Sequence, residues 1–168
     1  MAEIKQVYRE KIPALRLIGK KYHDPDRGPL GGFGMKWVEW YEKAYYSTLE
    51  QLGPIPESEG AHIGCMRMIE GSLEYWTGMF FPEGTPVPDG YTYADIPAGE
   101  IGTCWVYGHA RSGELYGEYV HFQCVRELEA AGWEIADDYW YFERYVCPRF
   151  SEPDEYGKVI MDYCIYLK

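Results

Sequence analysis

The stretch Ile12–Ile18, IPALRLI, returns as IPAGEIG at Ile96–Gly102. Each copy leads into a segment of helical spacing that stops at a glycine: Met35–Leu52 before Gly53, and Glu114–Ala131 before Gly132. Each helical segment is followed by two strand-like runs. The two Ile-Pro-Ala copies are 84 residues apart and the two helix-ending glycines 79 apart. Loop insertions and deletions account for the drift. The pattern predicts a duplicated β-α-β-β unit, with pseudo-repeats over 1–83 and 88–168. Two such half-domains would share one sheet, and the cleft where they meet is the place to look for function.

The strands are legible by alternation and by turn residues. Val7–Tyr8 and Ala14–Tyr22 read as strands interrupted at Pro13, and HDPDRGPLGG (23–32) reads as a loop. Ala61–Ile69 and Leu73–Phe81 flank Glu70-Gly71-Ser72, a hairpin signal. The run PEGTPVPDG (82–90) is a short Pro/Gly-rich linker. Tyr91–Ile96, Gly99–Gly108, Tyr139–Val146 and Val159–Leu167 read as the remaining strands. In the first helix Val38, Tyr41, Tyr45, Leu49 and Leu52 make one apolar stripe, and Trp37, Trp40 and Ala44 a second beside it. In the second helix Leu115, Tyr119, Phe122 and Val125 share one face, and Val120, Cys124, Leu128 and Ala131 another. Shifted by 79 residues, Trp37 falls on Tyr116 and Trp40 on Tyr119, so the helices are expected to present equivalent aromatics.

Composition narrows the function classes. Among 168 residues there are 17 Tyr and 6 Trp, residues that combine large apolar area with a polar handle and suit ligand sites as well as wet-edged cores. The net charge of −11 argues against nucleic acid, whose phosphates require clustered Lys and Arg, and favours cationic ligands. Five cysteines are scattered without a CxxC or a zinc spacing. They read as buried free thiols in a reducing cytoplasm. The charged N-terminus MAEIKQVYREK carries no signal-peptide pattern, and no apolar run is long enough for a membrane span.

One strand carries a candidate for chemistry. In YWYFERY (Tyr139–Tyr145) side chains two apart share a face. Tyr141, Glu143 and Tyr145 therefore point one way, and Trp140, Phe142 and Arg144 the other. If helices cover the first face, Glu143 is a buried carboxylate between two phenols, which costs several kcal/mol unless donors or a cation satisfy it. The alternative is an ordinary strand glutamate facing water. Glu39, Glu74 and Asp162 are candidates for a second acidic group. His23, His62, His109 and His121 stand apart from any HxxxH or HExxH pattern and read as edge or core histidines. No P-loop, GxSxG or GxGxxG is present, and no metal or cofactor is expected.

Val87–Gly108 (VPDGYTYADIPAGEIGTCWVYG), YFERY (Tyr141–Tyr145) and the terminal MDYCIYLK together resemble the GyrI-like small-molecule-binding family, which includes effector-binding domains of AraC-type and MerR-type regulators. The resemblance spans nearly the whole chain. It implies an α+β fold: tandem β-α-β-β units forming one curved antiparallel sheet, two main helices on one face, and a ligand cleft between the helices. It further implies binding of bulky, often cationic aromatic compounds by stacked rings and a buried Glu, for which Glu143 matches by its FERY context. On this basis the candidate binding residues are Glu143, Tyr141, Tyr145, Trp37, Trp40, Tyr75, Trp105, Tyr116 and Tyr119. No helix-turn-helix precedes the matching region, so a stand-alone member is expected.

Some stand-alone members resemble hydrolases that open the cyclopropane ring of DNA-alkylating compounds; in that case Glu143 and Tyr145 would be catalytic. A gyrase-inhibitor-type protein partner and a haem-binding relative are further alternatives.

Overall fold

A computed structural model describes residues Met1–Lys168. The class is α+β. The chain forms two compact units: Met1–Ile12 with Gly99–Lys168, and Pro13–Ala98. The strands are β1 (Glu3–Ile12), β2 (Leu15–Tyr22), β3 (His62–Ile69), β4 (Ser72–Pro82), β5 (Thr92–Ile96), β6 (Gly99–His109), β7 (Tyr141–Tyr145) and β8 (Lys158–Leu167). The helices are α1 (Gly34–Glu42), α2 (Tyr45–Glu50) and α3 (Glu118–Ala130).

In the unit containing both termini, the strand order is β1-β6-β8-β7, antiparallel throughout. In the other unit the order is β5-β2-β4-β3, again antiparallel. The two orders correspond strand for strand. The strand leading into each Ile-Pro-Ala pairs with the strand that follows the other copy: Ile12 pairs with Gly99, and Leu15 with Ile96. Pro13 and Pro97 break the ladder at these points because proline lacks the N–H a strand donates. The compact units therefore differ from contiguous halves of the sequence by the exchange of β1 and β5.

The hairpin β3–β4 turns through Glu70 and Gly71, both at positive φ, the backbone that two-residue hairpin loops require. β2 and β4 meet at a pair of facing glycines, Gly19 and Gly78. A Cβ on either would run into the opposing backbone, at the Thr77 and Ile18 carbonyls.

The first helical segment departs from expectation. Instead of one helix over Met35–Leu52, the chain breaks at Lys43–Ala44, with Ala44 left-handed (φ 54). The cause is burial. Trp40 and Leu49 are both fully buried and pack with Tyr46 on Ile18, Met79 and Phe81. At 3.6 residues per turn these two would sit on opposite sides of a continuous helix. The break brings them to the same side. Val38, Tyr41 and Leu52, expected in the core stripe, are exposed.

α3 starts later than the sequence suggested, after Gly117 at φ 99. Its core face is Val120, Cys124 and Leu128, packed on Cys104, Met161, Tyr163 and Ile165. Tyr119 and Phe122 face out. Gly102 lets Leu128 approach β6, since a Cβ there would overlap the leucine side chain. Four cysteines are buried and all five are free.

The facing glycines give a direct test. Gly19→Ala should destabilise the protein by about 1–3 kcal/mol or more in urea unfolding, as overpacking does. Gly32→Ala, with nothing within 4 Å of the added Cβ, should leave the midpoint within about 0.5 kcal/mol. Equal midpoints for the two variants would contradict the β2–β4 register.

Candidate functional site

β7 alternates as its sequence dictates. Phe142 and Arg144 are buried on one face. Glu143 is 7% exposed on the other, where Tyr141 and Tyr145 pack against the α3 core. Directly across on β8 stands Tyr163, also buried. Its hydroxyl meets His121 Nδ1 of α3 at 2.9 Å, while His121 Nε2 meets the Tyr139 hydroxyl at 3.1 Å. The His121 ring lies parallel to Tyr139 and 4.6 Å from Tyr141, centroid to centroid. Tyr145 in turn packs on Phe150.

The electrostatics of Glu143 are unusual. Its hydrogen bond is the one donated by the Tyr145 hydroxyl to Oε2, and no Lys, Arg or His forms an ion pair with it. Burial pushes its pKa up to about 7, against the lowering effect of the Tyr145 hydrogen bond. At one pKa unit per 1.36 kcal/mol, ionising it in the folded protein costs about 3 kcal/mol more than in the unfolded chain. Burial also holds His121 below the ordinary imidazole range, so it offers no positive charge at neutral pH. Burial, then the Glu143 charge, pushes the Tyr163 phenol up, which keeps it a neutral hydrogen-bonding group.

The reverse face of the same strands is fully matched. Arg144 donates to Asp162 Oδ2 at 2.9 Å and to Glu10 Oε1 at 2.6 Å. Arg149 donates to Asp162 Oδ1 at 2.9 Å, and the Thr103 hydroxyl donates to Glu10. Glu74 gives a second contrast. It is as buried as Glu143, yet Trp76 and Arg67 donate to it at 3.0 and 2.8 Å. Burial raises its pKa, but those partners outweigh it and the net shift is downward.

The proposed second acidic groups thus have other work. Asp162 serves Arg144 and Arg149 on the reverse face, Glu74 serves Arg67, and Glu39 pairs with Lys36 and Lys43. Trp105 also faces away from Glu143. It pairs with Asp162 in register, donates to the Tyr8 hydroxyl and lies under Arg149. Tyr116 and Tyr119 are exposed near the start of α3, and the Tyr119 hydroxyl reaches Met1.

In the other unit, Trp37 donates to the Tyr75 hydroxyl at 2.7 Å and Trp40 to the Tyr22 hydroxyl at 3.0 Å. Trp40 is fully buried and so belongs to that unit's core, while Trp37 is half-buried. Phe33 stacks on Tyr75 with centroids 4.3 Å apart. No cluster of three or more metal-ligating side chains is present, and no helix is long and apolar enough to cross a membrane.

The sequence named Glu143, Tyr141 and Tyr145 as candidates; the structure sets Tyr163 opposite Glu143 and joins Tyr163 to His121 and Tyr139, which the sequence did not single out. The alternation in MDYCIYL marks Tyr163 as inward-facing, but its place opposite Glu143 depends on register. His121 follows the core residue Val120, and only the helix rotation turns it toward the tyrosines.

No family model and no curated protein sequence matches the chain. Solved structures do. SAV2435 bound to tetraphenylphosphonium superposes with a TM-score of 0.73 at 13% identity, over 97% of this chain and 94% of that one. A protein from Staphylococcus aureus MU50 gives 0.69 at 12%, over 97% and 98%. The EcmrR C-terminal domain gives 0.61 at 11%, over 97% of each. At these identities the likeness establishes a shared fold.

The raised pKa of Glu143 has a stability signature. The folded state holds the proton more tightly than the unfolded chain. Stability should therefore fall as pH rises from about 4.5 toward 7, then level off. Glu143→Gln should remove this dependence and be more stable than wild type at pH 8, by up to about 3 kcal/mol. Denaturant midpoints at pH 5 and pH 8 check it; a variant less stable than wild type at pH 8 would show that the carboxylate is already satisfied.

Proposed function

We propose that the protein binds bulky aromatic cations, with Glu143 as the counter-charge and Tyr139, Tyr141, Tyr145 and Tyr163 as the surrounding rings. The observation that carries this reading is a buried carboxylate with no cationic partner among aromatic side chains. A ligand cation would supply the missing partner, and each ring face presented to it adds about 0.5–2 kcal/mol. The fold shared with SAV2435, solved with tetraphenylphosphonium bound, supports the same ligand chemistry. So does the net charge of −11. Membership in the GyrI-like family and a role in effector sensing or drug sequestration belong to this reading.

A second reading rests on the same group. A carboxyl poised near neutrality with a phenol hydrogen-bonded to it can exchange a proton at physiological pH. The alternative is a hydrolase of an electrophilic cyclopropanoid, the substrate class that the family resemblance suggests, with Glu143 activating water and Tyr145 positioning it.

Binding of a permanent cation should be coupled to ionisation of Glu143. Calorimetric titration with tetraphenylphosphonium should give an affinity about tenfold higher at pH 8 than at pH 6, because the carboxylate fraction rises through a pKa of about 7. Glu143→Gln should lose tenfold or more at pH 8 and become insensitive to pH. No heat of binding, or an unchanged affinity in Glu143→Gln, would overturn the proposal.

A further inference from the structure

The unit spanning Pro13–Ala98 holds a second arrangement, independent of Glu143. Three side chains from three elements form a continuous hydrogen-bonded chain. Glu50 Oε1, at the end of α2, lies 2.8 Å from His62 Nε2, at the start of β3. His62 Nδ1 lies 3.0 Å from the Tyr41 hydroxyl on α1. A carboxylate can only accept, so Nε2 carries the imidazole proton and Nδ1 accepts from Tyr41. The His62 ring is further held face to face on Tyr46, centroids 3.7 Å apart and planes within 4°. The Tyr46 hydroxyl is itself buried with no hydrogen-bond partner, so the stacking position is not explained by what that hydroxyl gains. The left-handed break at Ala44 is what separates α1 from α2, and Tyr41 before it and Tyr46 after it both reach His62 and each other. Tyr41 is 57% exposed.

We propose that Tyr41 is a nucleophile activated by His62, with Glu50 as the residue that positions and supports the imidazole. The order carboxylate–imidazole–hydroxyl is the logic by which a weak oxygen nucleophile is activated. The substrate class is an activated aryl ester, whose aromatic body can lie against Trp37, 6.3 Å from Tyr41 between ring centroids. The Tyr41 oxygen attacks the carbonyl carbon as its proton passes to His62 Nδ1. Collapse of the tetrahedral adduct breaks the bond to the aryl oxygen, which takes the proton from Nδ1 and leaves as a phenol. Tyr41 is left as its acyl ester, which water can hydrolyse to the carboxylic acid.

The test is acetylation of the intact protein by p-nitrophenyl acetate, followed by peptide mass spectrometry. Tyr93 and Tyr156, at 48% and 67% exposure, serve as internal references. Acetyl should accumulate on Tyr41 at least tenfold faster than on either. Tyr41→Phe should remove the fast phase of nitrophenol release. Glu50→Gln should slow it tenfold or more with an unchanged circular dichroism spectrum, and Glu50→Asp should restore part of the rate. His62→Gln should behave like Glu50→Gln; if it fails to fold, the exposed Glu50 variants decide alone. Acetylation of Tyr41 at the pace of Tyr93 and Tyr156, or a rate unaffected by Glu50→Gln, would overturn the proposal.

Discussion

A carboxylate taken out of water needs a partner, and Glu143 has only a phenol. The protein is able to supply better. Asp162, one strand over, has two arginines, and Glu74 has an arginine and an indole. Ionised Glu143 has Tyr145 alone, and its pKa stands near 7 as a result. Such a group works against stability at neutral pH, and groups of that kind concentrate at sites of binding and chemistry. The missing charge is what a cationic ligand can bring.

The fold enforces this placement through register. Glu143 and Arg144 are adjacent on β7, so they face opposite sides. A slip of one residue would turn Arg144 into the tyrosine cluster and carry Glu143 toward Asp162 and Glu10. That would place three carboxylates together and strand a guanidinium among rings, so the paired charges on one face pin the solitary charge on the other. β1 takes part, since it brings Glu10 to Arg144. The exchange of β1 and β5 between the sequence halves thus has a consequence at the site: the first strand of the chain helps fix the register of β7.

Much of this was legible from sequence because it follows from local rules. The repeated Ile-Pro-Ala strands, the Glu70-Gly71 hairpin and the alternation in YWYFERY depend on turn chemistry and period two. What escaped depends on tertiary packing. The single helix expected over Met35–Leu52 became two because Trp40 and Leu49 must bury on the same side, which helical spacing alone cannot reveal. Tyr163 came to stand opposite Glu143 through strand register, and His121 reached Tyr163 and Tyr139 through helix rotation, neither written in a short window. Trp105 and Asp162 faced away for the same reason. The pairing of β1 with β6 was hidden because sequence neighbours usually pair, and here the Ile-Pro-Ala segments carry the chain across instead.

The state of Glu143 in the unliganded protein decides the central claim. Carbon-13 NMR of protein labelled at the glutamate side-chain carboxyl, assigned by the loss of one signal in Glu143→Gln, follows its titration directly. A midpoint near pH 7 is the predicted result. A midpoint at the ordinary carboxylate value would mean that water or an unseen donor already satisfies the group, and would contradict the account.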